Sequence, residues 1–186
     1  LKTQPHPVSI IHRDIKPSNI MIVQDPTLGE LAKILDFGVA KLVQAEGDQT
    51  QCFMGTLAYA SPEQMEGRQL DSRSDIYSFG IMMFQMLTGH LPLRASSQTF
   101  GGWYKVHLNR TPKSITDILG ENGVPKLLED VVMQCLAKDP KDRPQEVRDI
   151  LKALEPLESR FVPGLQISQR IGTTLNRLPV TRQPDP

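Results

Sequence analysis

The sequence predicts an α+β fold in which helices dominate. Two observations carry this. Near the start, the apolar runs Ile20-Met21-Ile22-Val23 and Leu31-Ala32-Lys33-Ile34-Leu35 flank the turn composition Asp25-Pro26-Thr27-Leu28-Gly29-Glu30, the pattern of a β-hairpin. From Asp75 onward the apolar residues recur instead at helical spacing. A lone hairpin is marginal in water, so this one is expected to pack on the helical body.

The elements follow in order. Pro5 and Pro7 rule out a regular helix over residues 1–9. After the hairpin no period is sustained from Gly38 to Ser61, and Gln, Gly, Asp and Thr crowd residues 44–51. A loop of that length inside a domain usually has a function. Asp75–Leu87 reads as a helix with Ile76, Phe79, Met83 and Leu87 on one face and Ile81, Met82 and Phe84 on the other. A helix apolar all round is a buried one. Thr88-Gly89 ends it, with Pro92 just beyond. Residues 93–123 are polar and irregular, with one short helix near Trp103–Asn109. Pro125–Lys138 is amphipathic through Leu127, Leu128, Val131, Val132, Cys135 and Leu136, and Asp139-Pro140 breaks it. Pro144, at a first helical position, opens a last helix bearing Val147, Ile150, Leu151 and Leu154. Past Pro156 the periodicity fades. Residues 156–186, with their prolines and Arg160, Arg170, Arg177 and Arg182, are expected to be a linker or disordered tail, leaving a domain over 1–155.

Composition narrows the classes. The chain has 186 residues, 39% of them hydrophobic, enough for one domain with a buried core. Its formal net charge is zero, which argues against a nucleic-acid partner. No apolar run approaches the ~20 residues a membrane helix needs. Cys52 and Cys135 stand far apart and suggest free thiols and a cytoplasmic setting. The four histidines have no metal-ligand spacing. The first residue is Leu1 rather than Met, so the chain is expected to be processed or a piece of something longer.

The chemistry sits in His12-Arg13-Asp14-Ile15-Lys16-Pro17-Ser18-Asn19 and in Asp36-Phe37-Gly38. In an extended segment, side chains two apart share a face, so Asp14 and Lys16 can point the same way. If the hairpin brings Asn19 near Asp36, two oxygen ligands converge. Mg²⁺ is commonly held by one or two carboxylates plus substrate phosphates, and a carboxylate beside such a site could take a proton from an incoming hydroxyl. The plainer alternative is a solvated loop with scattered charges.

The first stretch resembles the catalytic loop of eukaryotic-type serine/threonine protein kinases, and Asp36-Phe37-Gly38 resembles their metal-binding motif. The resemblance implies that Asp14 is the catalytic base, that Asn19 and Asp36 hold Mg²⁺ (or Mn²⁺ in its place), and that Lys16, Asn19, Met21 and Asp36 line the ATP site. Lys16 would contact the transferred phosphate, which suits the serine/threonine branch. Ser61-Pro62-Glu63 resembles the end of the activation segment, with serine where alanine is usual. Thr56 fits the threonine that reaches back to the base. Asp75 fits the aspartate that holds the catalytic loop's backbone, a helix N-cap being its alternative reading. Arg143 fits the late arginine that pairs with Glu63. His12 and Phe37 fit the stack of side chains aligned in active kinases. Arg13 implies control by a phosphorylated residue, for which Thr50 is the candidate. Gln64 and the compact segment look like the bacterial branch.

The resemblance covers residues 1 to about 155 and only the family's C-terminal lobe. No glycine-rich loop, lysine strand, glutamate helix or hinge precedes His12. Phosphoryl transfer depends on positioning and electrostatics, and the absent lobe supplies much of both. An apolar surface should stay exposed where that lobe packs. The leading expectation is a kinase segment that phosphorylates serine and threonine of protein substrates only in a fuller context. The alternatives are a binding or regulatory module and a pseudokinase scaffold. The presence of Asp14, Lys16, Asn19 and Asp36 together weighs against the scaffold.

Overall fold

A computed structural model describes residues 10–36, 57–121 and 123–161. The chain enters through the segment 10–16 and a single 3-10 turn over Pro17–Asn19 into a two-stranded antiparallel hairpin, β1 (Ile20–Asp25) and β2 (Gly29–Ile34). Ile20 lies opposite Ile34 and Asp25 opposite Gly29. The Asp25 carboxylate makes the turn by accepting from the N–H of Thr27 and Leu28 at 2.8 and 2.9 Å. Those two backbone donors hold its carboxyl below the usual range. Gly29 supplies the positive φ of 77° that closes the turn.

The helical body holds α1 (Pro62–Met65), α2 (Ser72–Thr88), α3 (Phe100–Asn109), α4 (Thr116–Leu119), α5 (Lys126–Cys135) and α6 (Val147–Phe161). Helix α2 is its axis. Tyr77, Ile81 and Phe84 pack on Ile115, Val132 and Leu136, while Ile76 packs on Val131, Cys135 and Ile150. The two helices approach so closely at Gly80 that a Cβ there would lie 2.7 Å from Cys135 Cβ. A third cluster joins Leu57, Ala58, Ala60 and Met65 to Leu93 and to Trp103 and Val106 of α3. Burial pushes the Cys135 thiol up to about 12, which suits a packing residue rather than a reactive one.

At its base the hairpin is closed by Leu35 N donating to Asn19 O at 2.8 Å, and the segment before it is tied to the body where Asp75 of α2 accepts from His12 N and Arg13 N. Its strands lie largely open to solvent. Met21, Ile22, Ile34 and Leu35 are exposed, as is Ile10 nearby.

The boundaries differ from the periodicity where polar residues take part in the helices. Helix α2 begins at Ser72 because Asp71 caps it, accepting from Arg73 N at 2.9 Å. Its first turn is polar and carries no apolar stripe to read. Helix α3 starts at Phe100 and runs through Gly101 and Gly102, capped by Thr99. Helix α5 stops at Cys135 and not at Lys138, because Leu136 and Ala137 tighten into i−3 bonds. The carbonyls of Ala137 and Lys138 then turn to Arg143. Helix α6 begins at Val147, three residues beyond Pro144: Asp149 gathers the N–H of Gln145 and Glu146 as a first-turn acceptor. The same helix runs through Pro156 to Phe161, where a tail was expected from Pro156 onward. Pro156 is exposed, so water can serve the Lys152 carbonyl that its ring leaves without an N–H.

Candidate active site

Asp14 lies in the segment before the hairpin and is buried. Its Oδ2 accepts from Asn19 Nδ2 at 3.1 Å and lies 2.9 Å from Lys16 Nζ. Asn19 Nδ2 also donates to the Asp14 carbonyl at 2.8 Å. The single turn at Pro17–Asn19 makes this possible, because it folds Asn19 back over Asp14. With both amide hydrogens directed at Asp14, the ligand that Asn19 can offer elsewhere is its Oδ1.

The backbone of this segment is held from α2. Asp75 accepts from His12 N at 2.7 Å through Oδ2 and from Arg13 N at 2.8 Å through Oδ1. Asp75 thus sits inside the first turn of α2, and the cap is Asp71. Burial pushes the Asp75 carboxyl up more than these two backbone donors pull it down. Arg13 has a φ of 67°, a left-handed conformation costing about 1–2 kcal/mol for a residue with a side chain. It is held on both sides, since its carbonyl accepts from Gln64 Nε2 at 2.9 Å. His12 is buried and its Nε2 lies 2.9 Å from the Leu35 carbonyl, tying the segment to the far strand. Asp36 follows, exposed and at a φ of 52°. The Leu35–Asn19 backbone bond therefore puts Asn19 and Asp36 at the same end of the hairpin. An amide oxygen and a carboxylate form an all-oxygen pair, the donor chemistry of a hard divalent cation such as Mg²⁺. Met21 lies on β1 beside them, partly exposed and paired with Lys33.

A second cluster lies behind α1. Ser61 caps α1 in a capping box: its Oγ accepts from Gln64 N, and Gln64 Oε1 accepts from Ser61 N at 3.0 Å. Glu63, buried, accepts from Arg143 Nη1 and Nη2 at 2.7 and 2.9 Å and from Ser74 Oγ at 2.7 Å. Arg143 spends its other N–H groups on the carbonyls of Arg73, Ala137 and Lys138 at 2.8–2.9 Å. It lies over the Tyr77 ring, 4.9 Å from the centroid. Burial pushes the Glu63 carboxyl up, but the hydrogen bonds and charge of Arg143 outweigh it and hold the carboxyl below its ordinary value.

The described residues therefore bring together Asp14, Lys16 and Asn19, with His12 and Arg13 fixed by Asp75, and separately Glu63 with Arg143. Phe37, Gly38, Thr50 and Thr56 lie outside the described residues. Sequence reasoning passed over two positioning residues. Gln64 stood out only as a branch marker, although the Ser61-Pro62-Glu63-Gln64 spacing carries a capping-box signal. Ser74 had no signal, since its partner is distant in sequence.

The sequence profile of the protein kinase domain matches residues 5–155. The chain belongs to the protein kinase family. A serine/threonine-protein kinase A from Synechocystis is 58% identical over 153 residues, which span 82% of this chain and 29% of that protein. The serine/threonine-protein kinase pkn3 of Myxococcus xanthus is 34% identical over 158 residues, 82% of this chain and 28% of its own length. PknB of Mycobacterium tuberculosis is 36% identical over 148 residues, 78% of this chain and 22% of its own. The chain thus spans under a third of the length of each of these bacterial relatives. Among the described residues no helix is long and apolar enough to cross a membrane.

Proposed function

We propose that this chain carries the catalytic-loop half of a serine/threonine protein kinase, transferring the γ-phosphoryl group of ATP to serine or threonine hydroxyls of protein substrates. One observation carries the reading: a buried carboxylate on Asp14 is fixed by Asn19 and Lys16, on a loop whose backbone is pinned to α2 by Asp75. Such a carboxylate orients an acceptor hydroxyl and takes its proton. Lys16 is the cation beside it. Asn19 and Asp36 would hold Mg²⁺, and Met21 would lie against the nucleotide. Bound Mg²⁺ and ATP would supply charge neutralisation and the transferable group.

A glycine-rich loop over the phosphates would add to the hold that this half of the site has on ATP. Ile22 and Ile34 on one face of the hairpin and Met21 on the other are exposed, as are Ile10 and Leu35, apolar area that a nucleotide-holding lobe could cover. We further propose that phosphorylated Thr50 pairs with Arg13. Mapping of active protein that finds Thr50 unmodified removes that step.

The test is radiolabelled transfer to a basic protein in Mg-ATP. The 186-residue chain alone is expected to show negligible transfer. The chain joined to a kinase N-terminal lobe should be active, and Asp14→Asn should lower its turnover about 10²–10⁴-fold. Unchanged turnover in Asp14→Asn removes the assigned base. Strong turnover by the isolated chain removes the need for a further lobe.

A further inference from the structure

We infer that the groove between the α2–α3 connection and the α3–α4 connection is a docking site for an acidic segment of a protein partner, one carrying an apolar anchor residue. The groove holds about 560 Å³. His90 and Arg94 line one side and Arg110 and Lys113 the other, with Leu91 and Ile118 at its apolar floor. Two bonds fix its walls: Lys113 N donates to Pro92 O at 3.2 Å, and Arg110 Nη1 to Arg94 O at 3.3 Å. The Arg94 guanidinium also reaches His90 Nδ1 at 3.3 Å.

Charge selects the occupant. No carboxylate lines the groove, and among the described residues none lies within ion-pair distance of Arg94, Arg110 or Lys113. The sequence shows the same bias. Between Asp75 and Asp117 there is no aspartate or glutamate, in a chain that has 21 of them and no net charge. The cations here therefore stand as a local excess, and such an excess steers and orients an acidic partner. The nearby Asp117 is already engaged, accepting from Ser114 N at 3.1 Å.

Shape selects among acidic partners. Nucleic-acid binding proteins present a broad basic face to a phosphate backbone, whereas this chain has no net charge and these cations line the two sides of a concave groove. A flat bilayer cannot enter a concavity. An extended peptide can place one apolar side chain on Leu91 and Ile118 while its carboxylates meet the cationic rim, which joins an apolar anchor to a polar periphery. This binding needs neither ATP nor the Asp14 loop, so it stands or falls apart from the catalytic reading.

The probe is a fluorescein-labelled peptide of aspartates and glutamates around a central leucine pair, titrated with the full-length protein and read by anisotropy. Saturable binding is expected, weakening about tenfold in Arg110→Glu/Lys113→Glu and again in high salt. Replacing the leucine pair by glycine, or the acids by their amides, should weaken it comparably. Unchanged emission of Trp103 reports that the double variant keeps its fold; where it does not, Arg94→Gln decides. The inference is overturned if the peptide does not bind, or if the charge reversals leave affinity unchanged. It is equally overturned if the leucine-free peptide binds as well, or if a DNA oligonucleotide or phosphatidylserine vesicles occupy the groove in preference.

Discussion

Replacing Arg143 by lysine keeps the positive charge and removes the planar fork. In the protein all five guanidinium N–H groups are used: two on Glu63 and one each on the carbonyls of Arg73, Ala137 and Lys138. The side chain is completely buried. A lysine ammonium has three donors at one point and cannot serve acceptors spread around a plane. At least two acceptors lose their partner, at about 1–2 kcal/mol each in a site closed to water, so the expected loss is about 3 kcal/mol. For a domain of this size that is a fall in Tm of roughly 6–12 °C. The assay is urea unfolding followed through Trp103, the chain's single tryptophan and a buried one. A loss below about 0.5 kcal/mol with an unchanged m-value would refute the claim that the five bonds act together. Acid supplies an independent check. The folded Glu63 carboxyl titrates below its ordinary value of 4.5. Its contribution to stability is therefore present above that value and is lost as the pH falls through the folded pKa. Arg143→Lys should weaken this acid-sensitive contribution.

Three further outcomes are expected. Burial lowers His107 to about 4 from 6.5, its ring being enclosed with Tyr77 Oη 3.0 Å from Nδ1. The unfolded chain then binds the extra proton first, so stability should fall between about pH 6.5 and 4, by up to on the order of 3 kcal/mol; His107→Gln should flatten that part of a Tm-against-pH curve, and an identical curve would refute the assignment. Gln64→Glu retains the oxygen that accepts from Ser61 N but loses the donor to Arg13 O. In the chain joined to a kinase N-terminal lobe, transfer should fall about tenfold with little change in Tm, because loop position and not the fold is disturbed; a parallel loss of both would show a purely structural role. Gly80→Ala forces a methyl to within 2.7 Å of Cys135 Cβ and should cost about 1–3 kcal/mol in a urea melt.

Much of this molecule is legible along the chain because its signals are local. The hairpin is announced by two apolar runs around an Asp-Pro turn, and α2 by its apolar residues on every face. The boundaries were less legible where a polar residue acts on the backbone. Asp71 caps α2 ahead of any apolar period, and Asp149 and Gln145 hold residues 144–146 out of α6 although Pro144 could have begun it. Proline 156 reads as a stop by steric rule, yet the helix passes through it on its exposed side.

The sequence by itself determined the chemistry of the candidate site: which residues supply a carboxylate, a cation and an amide oxygen, and their order. Those depend on residue type and close spacing, as Asp14, Lys16 and Asn19 lie within six residues of one another. Only the tertiary structure decided how that site is held. Asp75 grips a backbone 62 and 63 residues away, Gln64 reaches a carbonyl 51 residues away, and Arg143 meets Glu63 across 80. Backbone N–H and C=O groups occur at nearly every position and carry no letter of their own. Their partners become visible only when α2 and the end of α5 bring distant segments within 3 Å of one another.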